Sequence, residues 1–279
     1  MKGPEKKGKL ARITGNALVS RIIFGAAGAI LFIVFWEYLL EPIARGFQGN
    51  PDLNIPTFSE SLGALFSSFV DTGGTWNEYL MGDHLMLSLG RVLGGFAIAV
   101  AIAAPIGLLM GYIREFEHFL FPINELARPI PPLAWIPVAV LLMSGELKVM
   151  FICFLGAYFP ILINTIHGVR SIDPVLYDAA KTLGASRWTI FFKVVVPAAS
   201  GSMMTGIRIG LGIAWMTIVA AEMIGSSNGV GWYIAVTTFS MTRYDLALGA
   251  MMLIAFVGYA IFLMMEVGER RFLKWLGMF

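Results

Sequence analysis

Three arginine residues lie inside apolar stretches that are long enough to cross a membrane: Arg91, Arg128 and Arg208. A guanidinium group at the centre of a membrane helix costs about 2.5–3.5 kcal/mol on insertion scales, so it faces water or a counter-charge. Arg91 can pair with Glu222, while Arg128 follows Glu125 on the same helical face. Arg208 has no acidic neighbour in the local sequence. The chemistry open to these groups is therefore ion pairing or the attraction of an anion.

Nucleophiles, bases and metal ligands are present but scattered. The single cysteine, Cys153, lies in an apolar run, and His84, His118 and His167 are far apart in the chain. They lack the short spacing of a metal cluster, and with Ser88 they form no nucleophile–base grouping. The sequence also lacks the Gly-x4-Gly-Lys-Ser/Thr loop that binds nucleotide phosphates. We predict no catalytic residue, metal or cofactor on this chain, with a membrane-embedded enzyme as a minor alternative.

The composition is that of a membrane protein. Hydrophobic residues make up 57% of the 279 residues and charged residues only 14%, whereas soluble domains carry about 25% charged residues. The mean hydropathy is +0.76. The net charge of +2 is too small to indicate a nucleic-acid partner. Most of the surface is expected to contact the lipid bilayer rather than water.

Six apolar segments are long enough to span the roughly 30 Å hydrocarbon core, which predicts an all-α, polytopic membrane helix bundle. They are residues 22–40, 85–112, 118–143, 148–167, 200–222 and 246–265. We interpret the first as a retained span rather than a cleaved signal peptide, because its apolar run is too long for one. Prolines interrupt the third segment, so it should be buried among other helices or line a cavity.

The distribution of basic residues sets the predicted orientation. With the N-terminus inside, 14 of the 20 Lys and Arg residues lie in cytoplasmic segments. Only Arg45, Lys148 and Arg243 lie outside or at the outer boundary. Basic residues resist translocation and accumulate on the cytoplasmic side. We therefore predict that both termini are cytoplasmic.

Three regions follow from this topology: an N-terminal region with the first span and an outer segment (1–83), a core (84–265) and a cytoplasmic C-terminus (266–279). In the outer segment Thr57 and Glu60 have capping-box spacing. Apolar residues then recur at helical spacing. This predicts an amphipathic outer helix, which packs on the rim of the bundle or docks a partner.

The largest cytoplasmic segment, residues 168–199, is predicted to form a helix–turn–helix. Asp173 is a good N-cap, and Pro174 suits the first helical position. Gly184 suits the left-handed residue that ends a helix. Ser186 can cap a second helix, which continues to Pro197 and the next span.

This segment is much longer than a connection between two spans requires. Its first helix carries Val175, Leu176, Ala179 and Leu183 on one face. Such an apolar face can enter a groove on a soluble partner. Packing against the bundle explains the same pattern equally well, so the residues alone leave both alternatives open.

The segment resembles the "EAA" loop of ABC importer permeases. That family pattern is Glu-Ala-Ala, three residues, Gly, nine residues, Ile-x-Leu-Pro. This chain has, with the same spacing, Asp178-Ala179-Ala180, then Gly184, then Val194-x-Val196-Pro197. The substitutions keep the charge sign and the apolar character at each position.

The resemblance extends over residues 84–265 and is similar to the nitrate/sulfonate/taurine/bicarbonate branch of that family. The matching stretches are Ser-Leu-Gly-Arg-Val (88–92), Arg-Pro-x-Pro-Pro-Leu-Ala-Trp-Ile-Pro (128–137), Phe-Pro-Ile-x-Ile-Asn-Thr (159–165), Gly-x-Arg-x-Gly-Leu-Gly-x-Ala-Trp (206–215), Ala-Ala-Glu-Met-Ile (220–224) and Gly-Val-Gly (229–231). They indicate the branch and do not select one member of it.

The resemblance implies a permease subunit of an ATP-driven, binding-protein-dependent importer of a small anion. It implies two separate ABC ATPase subunits that bind ATP-Mg, an extracytoplasmic substrate-binding protein, and a second permease copy. It places the chain in a bacterial or archaeal cell (inner) membrane, as a multi-pass protein. An ion-gradient-driven secondary transporter is the alternative, although the sequence lacks the internal repeats that such folds often show.

Two sets of candidate residues follow from the resemblance and the charges together. Contacts with the ATPase would come from a pair of coupling helices in residues 173–197, through Tyr177, Asp178, Ala179, Ala180, Leu183, Gly184, Ala185 and Pro197. The candidate translocation path comprises Arg91, Arg128, Trp135, Arg208, Trp215 and Glu222.

Overall fold

The computed structural model describes residues 17–48, 55–72, 74 and 78–275, and these residues contain helices and no strand. The helices are α1 (Ala17–Tyr38), α2 (Leu40–Gln48), α3 (Phe58–Ser67), α4 (Met81–Tyr112), α5 (Arg114–Ala127), α6 (Ile136–Leu142), α7 (Leu147–Arg170), α8 (Pro174–Thr182), α9 (Arg187–Ile190), α10 (Val196–Gly225), α11 (Val230–Ala235) and α12 (Tyr244–Trp275). A 3₁₀ turn (Pro132–Trp135) precedes α6, and π-helical turns follow α9 (Phe191–Val195) and α11 (Val236–Ser240). The predicted all-α class is confirmed.

Four continuous helical stretches in the described part of the chain are long and apolar enough to cross a membrane. They are α4, α7, the stretch Arg187–Gly225 that contains α9 and α10, and Tyr244–Phe272 within α12. Two bent pairs, α1 with α2 and α5 with the Pro132–Leu142 stretch, bring the number to six if each pair is one span. The six predicted segments therefore all fall on helices of suitable composition.

The third predicted segment is not one continuous helix. Its two halves, Arg114–Ala127 and Pro132–Leu142, meet at an angle of 89°. Pro129, Pro131 and Pro132 stand at the break. Proline has no backbone N–H and its ring clashes with the preceding turn, so a run of prolines ends a helix. In the single chain α5 has no buried side chain, but it forms one wall of a cavity, as its broken backbone led us to expect.

The core forms where α7 packs between α4 and α10. Glycines make this approach close: a methyl group at Gly107 of α4 would lie 2.8 Å from Thr165 Cβ and 3.0 Å from the Leu162 carbonyl oxygen. On the other side, a methyl group at Gly206 of α10 would lie 2.9 Å from the Pro160 carbonyl oxygen. Small residues let membrane helices approach until dispersion contacts hold them together.

The outer helix packs on the rim of the bundle. The predicted capping box is confirmed: Glu60 N donates to Thr57 Oγ1 at 3.3 Å, and Thr57 N donates to Glu60 Oε2 at 2.9 Å. Helix α3 then lies against α12, where Ser61 and Leu65 are buried. Glu37, near the end of α1, accepts bonds from both the N–H and the hydroxyl of Ser59. The N-terminal helices are thereby attached to the core through α3.

Glycine spacing on α10 gives a first prediction. Replacing Gly206 with Val should destabilise the protein by roughly 1–3 kcal/mol, the usual cost of overpacking, because the new Cβ would lie 2.7 Å from Asn164 Cβ. Gly212 on the same helix has no heavy atom within 4 Å of such a Cβ, so Gly212→Val is the matched control. Thermal unfolding of the detergent-solubilised variants measures the difference. Equal melting temperatures would contradict the proposed close packing.

Candidate functional site

The segment 173–197, which the sequence predicts to be cytoplasmic, is here called the coupling hairpin after its predicted role, and it is capped as the sequence predicts. Asp173 Oδ1 accepts a hydrogen bond from Val175 N at 2.9 Å, and Ser186 Oγ accepts one from Thr189 N at 3.2 Å. Gly184 has a φ of +77°, in the left-handed region. The N–H of Ala185 bonds to the Ala180 carbonyl oxygen at 3.1 Å, which closes a Schellman turn. The hairpin therefore has a shape fixed by its own local bonds.

Helix α8 presents two different faces. Tyr177 and Ala180 are partly buried, and with Ala185 they pack on the cluster at the cytoplasmic ends of α4 and α7. Leu183 is 87% exposed, and Val175 and Leu176 are also exposed. The two sequence-based alternatives, packing against the bundle and docking to a partner, thus each match one face of α8. The first face attaches the hairpin to the bundle, and the second leaves apolar side chains without cover in the single chain.

The remaining coupling candidates lie at the exposed face or at the ends of the hairpin. Ala179 is exposed, and Asp178 is exposed with its carboxylate 3.7 Å from Lys181 Nζ. Gly184 is exposed at the turn, and Pro197 is half-buried in the first turn of α10.

A π-helical turn within the hairpin leads into the membrane helix α10. Phe191 and Val195 in this turn are buried against Val169 and Leu108 at the ends of α7 and α4. Tyr112 Oη also donates to the Arg187 carbonyl oxygen at 3.0 Å. A displacement of the hairpin would therefore act directly on the ends of three membrane helices.

Arg91 and Glu222 form the predicted ion pair. Arg91 Nη1 donates to Glu222 Oε1 at 2.6 Å, and the two residues are 3% and 0% exposed. Glu222 also accepts bonds from Ser88 Oγ at 2.8 Å and from Gly231 N at 3.0 Å. Each charge is thus compensated within the protein, as burial in an apolar medium requires.

Sequence reasoning missed the rest of this cluster, which we call the Arg91 network. The Arg91 guanidinium also donates to the carbonyl oxygen of Asn228 at 3.0 Å, to the Asn228 side chain and to the Glu146 carboxylate. That bond lowers the pKa of Glu146 from its usual value. His84 Nδ1 accepts a bond from Gly229 N at 2.9 Å. No local signal marks these partners, because they lie 55–145 residues apart in the chain.

The other path candidates occupy different environments. Arg208 pairs with Glu269 at 2.8 Å, a partner on α12 that the sequence did not indicate. Trp215 is buried, and its Nε1 donates to the Ile254 carbonyl oxygen at 3.1 Å. Trp135 is partly buried against the main core. The structure therefore does not bring the six candidates together at one place.

Arg128 lies at the end of α5, beside the break in the third segment. Its side chain is 52% exposed and 3.4 Å from the Glu125 carboxylate, the neighbour that the sequence indicated. Both residues line a cavity of about 110 Å³ between α5 and the cytoplasmic halves of α4 and α7. Within the described part of the chain, no three His, Cys, Asp or Glu side chains are placed to hold a metal ion.

The Arg91 network gives a second prediction. Arg91→Gln should destabilise the protein by about 3–5 kcal/mol, because the Glu222 carboxylate would lose its only buried cationic partner among the described residues. Arg270→Gln is the control, since it removes an exposed pair with Glu266 that is worth about 0–1 kcal/mol. Thermal unfolding in detergent compares the two, and equal destabilisation would contradict the assigned difference.

The chain is similar in sequence to known permease proteins of ABC transporters. A protein of Methanocaldococcus jannaschii named as an ABC transporter permease is 39% identical over 271 residues, 97% of each chain. A taurine transport system permease protein of Escherichia coli is 35% identical over 196 residues, 70% of this chain and 71% of that protein. A nitrate import permease protein of Synechocystis sp. is 32% identical over 215 residues, 77% and 76% of the two chains.

The fold is also found among solved structures. The MetNI methionine ABC transporter, in an inward-facing conformation, matches with a TM-score of 0.58 and 18% identity, covering 68% of this chain and 93% of that one. Residues 103–274 match the family described as binding-protein-dependent transport system inner membrane component. Together with the coupling hairpin and the membrane helices, this match shows that the chain belongs to the family of inner-membrane permease components of binding-protein-dependent ABC importers.

Proposed function

We propose that two copies of this chain form the membrane path of an ATP-driven importer of a small anion of the nitrate, sulfonate/taurine or bicarbonate type. The observation that carries the proposal is the exposed apolar face of α8, held in place by the Asp173 cap at the start of this helix and the left-handed turn at Gly184 after its end. Residues 84–265 would form the transport core, in a bacterial or archaeal cell membrane. An extracytoplasmic binding protein would deliver the anion, and two separate ABC ATPases would bind ATP-Mg.

In this proposal each coupling residue has a mechanical role. Leu183 and Ala179 enter a groove on the ATPase, with Asp178 beside them. Tyr177, Ala180 and Ala185 hold the opposite face to the bundle. Gly184 shapes the turn between the two helices of the hairpin, and Pro197 stands in the first turn of α10. ATP binding biases the permease between inward-open and outward-open states only if the docked ATPase binds those states with different free energies. The hairpin's buried contacts with α4, α7 and α10 support such a relay.

Among the three intramembrane arginines, Arg128 and Arg208 are more accessible to an anion than Arg91 is. Arg128 and Arg208 keep part of their guanidinium exposed, whereas Arg91 and Glu222 are closed off by their own partners. We therefore assign Arg91, Glu222 and Trp215 to maintaining the architecture of the path, with Trp135 next to the proline break. The relatives named for taurine and nitrate transport support an anionic substrate. Family membership also favours the ATP-driven importer over an ion-gradient-driven transporter.

The exposed face of α8 gives a third prediction. Leu183→Asp should reduce co-purification of the ATPase and ATP-dependent uptake by at least about tenfold, since burying a leucine side chain contributes about 1.5–3 kcal/mol. The fold should survive, because Leu183 makes little contact with the rest of the chain.

The control is Val70→Asp, an equally large change of polarity at a residue that is 84% exposed and follows α3 on the predicted outer side. Pull-down of the epitope-tagged ATPase and uptake into proteoliposomes measure both variants. Normal assembly and uptake by Leu183→Asp would refute docking through this face.

A further inference from the structure

A charged groove runs between α5 and α7, and neither the coupling hairpin nor the Arg91 network uses it. The two helices are antiparallel neighbours: Glu117 pairs with Arg170, and Tyr158 Oη donates to Asn124 Oδ1 at 3.1 Å. The cavity of about 110 Å³ lies between them. We call it the anion groove, lined by Met110, Phe121, Asn124, Glu125, Arg128, Phe159, Leu162, Ile163, Ile166, His167 and Arg170.

The two arginines of the anion groove stand at its opposite ends. Arg170 is the last residue of α7, at the predicted cytoplasmic surface. Arg128 lies eleven residues beyond Glu117, the partner of Arg170, and α5 rises by about 16 Å over that distance. Arg128 therefore lies well inside the predicted membrane span, where a half-exposed arginine side chain requires water or an anion beside it. The walls between the two cations are mainly apolar.

Each arginine has a carboxylate partner that an anion can replace. Glu125 approaches Arg128 to 3.4 Å, and both side chains are about half exposed. Glu117 pairs with an equally accessible Arg170. Glu222, by contrast, is held by Ser88, Gly231 and the buried Arg91, so no solute reaches that pair. The arginines of the groove thus have exchangeable counter-ions.

We infer that the anion groove is the inner part of the path, in which an oxyanion binds first to Arg128 and then to Arg170 before release into the cytoplasm. Glu125 and Glu117 are the counter-ions that return to the arginines after each transfer. Conduction requires sites that bind strongly enough to admit an ion and weakly enough to release it. A nearby carboxylate weakens anion binding because it competes with the anion for the arginine. This inference rests on the proposed anion importer and specifies where its substrate passes.

The test measures the local charge preference of the groove with a cysteine probe. Cys153→Ala removes the only cysteine, and Phe121→Cys then places a thiol on the groove wall. Inside-out vesicles that contain the full transporter are treated with anionic sulfonatoethyl or cationic trimethylammonioethyl methanethiosulfonate. Each rate is divided by the rate of the same reagent with a free thiol in solution. The anionic reagent should then react about tenfold faster, the lower range for electrostatic attraction into a cleft, because the lining carries two arginines and one glutamate. Phe119→Cys, on the same helix but outside the groove lining, should show no such preference.

Two charge variants identify the cause. Arg128→Gln should reduce the preference at Phe121→Cys to that of the Phe119→Cys control, and Glu125→Gln should increase it. Nitrate or taurine at millimolar concentration should slow labelling by the anionic reagent in the parent and not in Arg128→Gln. Ile166→Cys, on the opposite wall, repeats the measurement if Phe121→Cys does not assemble with its ATPase.

An anionic phospholipid headgroup has the same oxyanion chemistry as the solute, whereas phosphatidylcholine carries no net charge, so lipid composition separates the two sources. The labelling rate relative to the Phe119→Cys control should be the same in vesicles of phosphatidylglycerol and of phosphatidylcholine if the groove carries a free anion. Protection beyond that control by phosphatidylglycerol alone would overturn the inference in favour of a lipid site. Equal normalised rates for the two reagents would also overturn it, as would a failure of both Phe121→Cys and Ile166→Cys to react with either reagent.

Failure of this inference and failure of the proposed function give different experimental results. Labelling requires no nucleotide and no transport, so a charge preference that persists in a preparation without ATP-driven uptake would count against the importer proposal alone. Normal uptake with an Arg128→Gln variant whose groove has lost its preference would count against the path and leave the importer intact.

Discussion

The buried pair of Arg91 and Glu222 joins parts of the chain that lie 131 residues apart. It links α4 to α10, and through Asn228 and Gly231 it fixes the connection between α10 and α11. Neither charge is stable in an apolar interior alone, and each becomes tolerable only when the other and several neutral donors surround it. The position of these helices, and so the width of any path beside them, depends on this mutual compensation.

Close contacts connect the helices that carry the Arg91–Glu222 pair along the rest of their length. Helix α7 approaches α4 and α10 through glycines, so their backbones touch and side chains cannot slide past one another freely. At the C-terminal ends of α4 and α7, Phe191 and Val195 of the hairpin pack on Leu108 and Val169. Movement applied to the hairpin therefore reaches the membrane helices through packed contacts rather than through a flexible linker.

The intramembrane arginines differ in how completely the protein satisfies them. Arg91 is enclosed and has several partners, whereas Arg128 is half exposed with a single carboxylate partner, Glu125, at 3.4 Å. The proline break creates this difference, because it ends α5 and leaves Arg128 at a corner beside a cavity. The same residue type thus holds the architecture at one depth and, in our proposal, attracts solute at another.

The sequence alone determined the features that arise from neighbours in the chain: the apolar spans, the caps at Asp173 and Ser186, and the left-handed turn at Gly184. Such features depend on interactions over a few residues, so composition and spacing are sufficient to find them. Tertiary structure decided the further partners of Arg91, the partner of Arg208, the 89° angle at the prolines, and which face of α8 is free. Glu146 and Glu269 stand 55 and 61 residues from their arginines. No local pattern selects among acids at such separations, because only the packing of α4, α7, α10 and α12 brings them within bonding distance.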